Sequence, residues 1–239
     1  MPAPVQLPSV IVGRWKFTVN FQQYIAQRTR EARMEFLEGR IRQEVNKINK
    51  LKDLPHQHAL LLLRFCIQQN LRHLQRSLRS DDLEDLWAKL DTMLWEEVVR
   101  MRMRQREDSA EEEALGRSPS KLPARLSGLG LLSFKDVAPS AYRSACESSD
   151  QLLGNLGLIP VTEEPPPPIT QPTRRAELWD TQLDAILQRL NDIQRKRLIA
   201  NASKLGRSWL STIPLFQPLR LSNTDTASAL HDRGAFGKG

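Results

Sequence analysis

The sequence predicts a mainly α protein: a helical bundle followed by a loop-rich region, a proline-rich linker and a C-terminal helix. Three observations predict it. Apolar side chains recur at steps of three and four over long stretches, which is the signature of one buried helix face. Helix-start and helix-stop residues fall where those stretches begin and end. Aromatic residues are only 6% of the 239, so any core is built mainly from Leu, Ile and Val.

Residues 1–17 are expected to form an N-terminal tail. Prolines stand at positions 2, 4 and 8, and no basic segment precedes a long apolar run. That pattern is neither a signal peptide nor a membrane span. The longest uninterrupted apolar run, Ala59 to Leu63, is too short to cross a bilayer, so no membrane is expected.

Residues 18–106 are expected to form the bundle. A first helix is predicted from near Thr18 or Asn20, with Phe21, Ile25, Ala32, Phe36, Leu37, Ile41, Val45, Ile48 and Leu51 on one face. Gly39 is a weak point inside it. Asp53-Leu54-Pro55 ends that helix and starts the next, with Pro55 suited to a first turn. The second helix carries Leu60, Leu63, Ile67, Leu71, Leu74 and Leu78. Leu61, Leu62, Phe65 and Cys66 widen its apolar arc, which predicts burial on two sides. Asp81 and Glu84 have capping-box spacing and predict a third helix start. Leu83, Leu86, Leu90, Leu94, Val98 and Met101 continue as its stripe, beside Trp87 and Trp95.

Residues 107–154 read as a loop, a glycine-bearing turn at 122–131 and a short helix from about Ala138 to Leu153. Residues 155–173 read as a linker, in which Pro165 to Pro168 span about 12 Å as polyproline II. Residues 174–223 form the C-terminal helical module, starting after Thr173 as N-cap. Trp179, Leu183, Ile186, Leu190 and Ile193 make a short heptad seam there, and a helical protein partner could dock over 174–200. Residues 224–239 show little periodicity and are expected to be disordered.

The charge balance, 35 Lys plus Arg against 28 Asp plus Glu, leaves +7 and suggests RNA or DNA as partner. Arg100, Arg102, Arg104 and Arg106 cluster at a helix end, and Arg28, Arg33 and Arg40 are spread over the first helix. These seven are the candidate nucleic-acid-binding residues, because a guanidinium offers a forked contact to phosphate. The competing reading is a solvated helix end balanced by Glu107, Asp108 and Glu111 to Glu113. Trp179, Trp209 and Phe216 could stack on bases, with core packing as the rival role.

No catalytic residue emerges. Asp81-Asp82 is the one Asp-Asp pair, but it opens a Leu-rich helix where a two-metal centre needs a hairpin and further carboxylates. Cys66 and His73 could share a helix face, and His56 and His58 lie nearby, yet a metal ion needs more ligands than they supply. No metal and no cofactor is expected. Ser127-Gly128-Leu129-Gly130 lacks the Gly-Lys-Ser/Thr ending of a phosphate loop and reads as a packing turn. Two distant cysteines, Cys66 and Cys146, give no disulfide framework, which fits an intracellular site, nuclear or cytoplasmic.

Three stretches, in order, resemble the region downstream of the polymerase centre in non-LTR retrotransposon reverse transcriptases. The first is Leu54-Pro55-His56-Gln57-His58-Ala59-Leu60-Leu61-Leu62-Leu63-Arg64-Phe65-Cys66 with Leu71-Arg72-His73-Leu74. The second is Leu122-Pro123 with Leu126-Ser127-Gly128-Leu129-Gly130-Leu131, followed by the Ala-bearing run 138–145. The third is Gly206-Arg207-Ser208-Trp209-Leu210-Ser211-Thr212-Ile213-Pro214 with Leu219-Arg220-Leu221-Ser222-Asn223. The resemblance covers roughly residues 20 to 223 and implies a thumb-like helical region that contacts template and primer backbone. The Tyr/Phe-x-Asp-Asp palm motif of that family is missing, Ser127 stands where its turn has glycine, and no Cys/His cluster follows Leu221. The resemblance therefore implies a non-catalytic reverse-transcriptase fragment, not an enzyme. A helical interaction scaffold and a non-functional gene remnant are the alternatives.

Overall fold

The computed structural model describes residues 9–12, 15–18, 29–102, 117–157 and 169–234. The protein is mainly helical. A short antiparallel hairpin, β1 (Ser9–Val12) and β2 (Trp15–Thr18), pairs Val10 with Phe17 within the segment expected to be a tail. Thr18 therefore ends a strand and does not start a helix.

Helix α1 (Arg30–Lys50) begins where the Thr29 side chain accepts from Ala32 N at 3.1 Å, which satisfies an orphan amide of the first turn. The expected apolar positions Phe21 and Ile25 lie outside the described residues. Leu37, Ile41 and Ile48 face inward as predicted, and Gly39 does not interrupt the helix, with open space where a Cβ would stand. After a 3₁₀ turn, Leu51–Asp53, the chain enters α2 (His56–Leu62) with Pro55 as its N-cap.

A π-helical turn, Leu63–Ile67, then shifts the helical register. It buries Leu63, Arg64 and Ile67 and leaves Leu62, Phe65 and Cys66 exposed. The wide apolar arc is therefore not all buried: the extra residue of the π turn rotates part of it into solvent. The chain continues through α3 (Gln68–Asn70) and α4 (Arg72–Ser77).

Helix α5 (Glu84–Met101) runs along the core with Leu86, Leu90, Leu94, Val98 and Met101 buried, together with Trp87 and Trp95. The expected capping box at its start is not formed. Leu83 is the N-cap and makes no side-chain cap; Asp81 pairs with Arg79 at 3.2 Å, and Asp82 is held by Arg33 of α1. The first turn still carries Glu84 and Asp85, which favour the positive end of the helix dipole.

The turn after Leu122 folds back on itself, with Gly128 N bonded to Pro123 O and Gly130 N to Leu122 O. Gly128 is required there, since a Cβ would fall 1.8 Å from the Leu122 carbonyl oxygen. Ser127 adopts φ 73, the one non-glycine residue with positive φ among those described. A side chain in that region costs about 1–2 kcal/mol, and glycine gives back about 0.5–1 kcal/mol in unfolded-chain entropy. Ser127→Gly is therefore expected to raise stability by about half a kcal/mol, read as a higher melting temperature. A lower one would mean that the buried serine side chain outweighs the strain.

Helix α6 (Phe134–Asn155) starts earlier than the expected Ala138, capped by Ser133. Phe134 stacks on Trp87 with ring centroids 5.7 Å apart and joins α6 to α5. Most of the expected linker, including Pro165 to Pro168, lies outside the described residues. Helix α7 (Gln171–Leu187) is capped by Thr170, three residues before the expected Thr173, because Pro172 suits the first turn and Thr170 reaches the Thr173 amide. A capping box of Asn191 and Gln194 opens α8 (Asp192–Ala202), and α9 (Lys204–Ser208) follows.

The tail expected to be disordered instead forms helix α10 (Asn223–Gly234). Ser222 and Asp225 cap its start reciprocally: Asp225 N donates to Ser222 Oγ at 3.0 Å, and Ser222 Oγ donates to Asp225 at 2.7 Å. Ala227 and Leu230 are buried, and Leu230 joins the same core as Leu37, Leu63 and Leu94.

Candidate functional site

The fold turns several of the expected nucleic-acid-binding arginines inward. Arg33 is buried against Asp82. Arg100 grips the buried Glu97 with contacts of 2.6 to 3.1 Å. Arg102 is buried with its guanidinium over the Trp95 ring at 5.9 Å. These three serve packing and charge balance: Arg33 lies on the inner face of α1, and Arg100 and Arg102 lie at the end of α5, on or beside its apolar face. Arg40 bonds to Gln43 at 3.2 Å and has no carboxylate partner among the described residues. Arg28, Arg104 and Arg106 lie outside the described residues, as do Glu107, Asp108 and Glu111 to Glu113.

The stacking candidates divide in the same way. Trp209 packs partly buried against the main core, Phe216 is exposed, and Trp179 is half-buried. The heptad seam is spent inside the protein. Trp179, Leu183, Ile186 and Leu190 pack with Leu122, Leu126 and Leu198, while Ile193 faces solvent. That leaves no continuous seam for a helical partner over 174–200.

The three stretches that carry the resemblance meet in space. Gln57 of α2 donates to Leu219 O at 3.2 Å and accepts from Leu221 N at 2.9 Å. His56 N donates to the Asn223 side chain at 2.9 Å. Arg64 on the π turn donates to Leu210 O, and a Cβ on Gly130 would stand 3.1 Å from its guanidinium. Burial lowers the Arg64 pKa to about 10, still charged at neutral pH. Burial also holds the His56 imidazole below its ordinary value, and the Arg100 charge adds to this. His56 is thus a neutral core residue, while Cys66 and His73 are exposed. Among the described residues no group of three His, Cys, Asp or Glu side chains could hold a metal ion.

Asp91 sits where α5 meets the start of α6. Its carboxylate accepts from Ser133 Oγ at 2.6 Å, Phe134 N at 2.7 Å and Lys135 N at 3.1 Å. Burial pushes its pKa up despite these bonds. The adjoining cavity, about 20 Å³ between Asp91, Trp95, Ser120 and Lys121, has room for a water molecule and not for a substrate. Asp91 is accordingly a helix cap delivered from a neighbouring helix.

A second arginine group, not picked out from the sequence, gathers around Trp179. Arg125, on the 3₁₀ turn Ala124–Leu126, places its guanidinium 5.5 Å from the indole centroid. Arg175, one turn before Trp179 on α7, lies 5.9 Å from it. Arg72, at the start of α4, feels the Arg175 charge, and burial together with that charge lowers its pKa. The i,i+4 spacing of Arg175 and Trp179 is a signal the sequence did offer; the approach of the other two depends on the fold. No described helix is long and apolar enough to cross a membrane. Comparison with protein-family models, with curated proteins and with solved structures returns no match.

Proposed function

We propose that this chain is the non-catalytic, carboxyl-terminal helical portion of a non-LTR retrotransposon reverse transcriptase, and that it holds nucleic acid through its phosphates. One observation carries the lineage reading. The three resembling stretches are far apart in sequence, yet they interlock through Gln57, Arg64 and the turn at Gly130. Residues that fix one fold together are what a shared ancestry would leave behind. The net charge of +7 supports the polyanionic partner.

The test is fluorescence anisotropy with labelled single-stranded RNA and DNA. Affinity should fall steeply between roughly 50 and 200 mM salt, because each phosphate contact releases condensed counterion, and it should vary little with base sequence. An absence of binding at low salt would overturn the binding reading. Primer extension with magnesium should give no product from this chain alone, and a product would overturn the non-catalytic part.

A second reading is a helical interaction scaffold. The exposed Leu205, Ile213, Leu215 and Phe216 favour it, since clustered exposed apolar residues mark contact surfaces. It takes precedence if nucleic acid does not bind.

A further inference from the structure

We propose that Arg72, Arg125 and Arg175 form an oxyanion site beside Trp179 that holds a phosphodiester group of a nucleic-acid strand; this assignment rests on the nucleic-acid reading above. The 3₁₀ turn and α7 bring the Arg125 and Arg175 guanidinium groups to one indole, and Arg72 of α4 lies within reach of the Arg175 charge. Like charges gathered this way repel one another, and burial removes the water that would screen them. Burial lowers the pKa of both Arg72 and Arg175, and the Arg175 charge adds to the effect on Arg72.

The nearby carboxylates are engaged elsewhere. Glu147 is held by Arg174, and Asp136 accepts from Lys121 and Gln182, each at 3.0 Å. Among the described residues no ion pair reaches Arg72, Arg125 or Arg175, and the Arg175 Nε is buried without a hydrogen-bond partner. A cluster with unspent donors and no counter-charge is complete only with an anion present.

The cluster is also held in place beforehand. Trp179 packs partly buried against Ile186 and Leu190, so the ring that Arg125 and Arg175 approach is held in place. With its amide oxygen turned toward Leu132 N, Gln68 accepts from Arg72 Nη2 at 3.1 Å and orients that guanidinium. Arg125 stays exposed, so the site opens to solvent at that edge. Planar forks of this kind match phosphate oxygens, which favours a nucleic-acid backbone over a carboxylate-bearing peptide.

The test compares the full chain with R72Q/R125Q/R175Q and with R42Q/K50Q/K52Q, which removes the same charge from exposed positions on α1 and the turn after it. The probe is a labelled single-stranded oligonucleotide, titrated at several salt concentrations. The cluster variant should bind about tenfold more weakly, with its log–log salt slope flattened by about 0.7, the share of one lost phosphate contact on a single strand. The distant variant should lose far less. Because Arg72 and Arg175 are partly buried, Arg125→Gln alone gives a reading on an intact fold, with an expected loss of about threefold. Equal losses in the two triple variants would show a net-charge effect only, overturning this site and leaving the proposed function standing. An absence of binding by the parent would overturn both. Competition by an acidic peptide as strong as that by unlabelled oligonucleotide would overturn the choice of phosphate.

Discussion

Replacing Leu63 by alanine is expected to lower stability by about 3–5 kcal/mol, the range for a fully buried leucine whose surroundings cannot collapse. Leu63 is 0% exposed and belongs to the central cluster with Leu37, Leu60, Leu94 and Leu230. That cluster draws on α1, α2, α5 and α10, so the vacated volume lies in a core shared by several elements. Leu62→Ala is the control. That neighbour is 39% exposed, and its truncation should cost under about 1 kcal/mol. Denaturant unfolding at unchanged slope would report both. Similar costs at the two positions would mean that the π turn does not place Leu63 inward and Leu62 outward.

That pair of neighbours also shows where the sequence stops being legible. The stripes of α1 and α5 follow from period alone, and their buried apolar residues agree with it, whereas the buried Arg33, Glu44 and Glu97 do not follow from it. The π turn leaves no compositional mark, so the second helix reads as one broad apolar arc when its register in fact changes midway. The inward turn of Arg102 was readable in principle. It lies four residues after Val98 and seven after Trp95, on the apolar face and not on a solvated end. The charge count drew the eye to the arginines, whereas their direction is set by helical phase. Helix α10 had its signal too, in the Ser-x-x-Asp start at Ser222 followed by Ala227 and Leu230 three residues apart. The Arg72, Arg125 and Arg175 cluster could not be seen, because nothing in one dimension brings α4 beside α7. The interlocking of Gln57 with Leu219 and Leu221 was hidden for the same reason.

Asp82→Ala is expected to cost about 3 kcal/mol, although an aspartate beside a helix start would ordinarily be worth about 1 kcal/mol as a cap. The difference lies in what it leaves behind. Arg33 is buried on α1 with Asp82 as an ion-pair partner, and removing the carboxylate takes away part of the compensation of a buried charge. The pair is open to solvent at its edge, which places the cost at the lower end for a buried ion pair. Replacing both partners, Arg33→Met with Asp82→Leu, should recover most of the loss, since the buried charge is removed together with its carboxylate. Acid sensitivity gives an independent reading. Burial acts to raise the Asp82 pKa, but the Arg33 hydrogen bond and charge prevail and hold it below the ordinary 3.8. A depressed folded-state pKa contributes stability that is fully present above the unfolded value and is lost as pH falls through the folded one. The parent should therefore lose this part of its stability below about pH 4, whereas Asp82→Ala should show a shallower acid slope over the same range. If the single variant costs no more than a cap and its acid slope matches that of the parent, the link between α1 and the start of α5 does not rest on this pair.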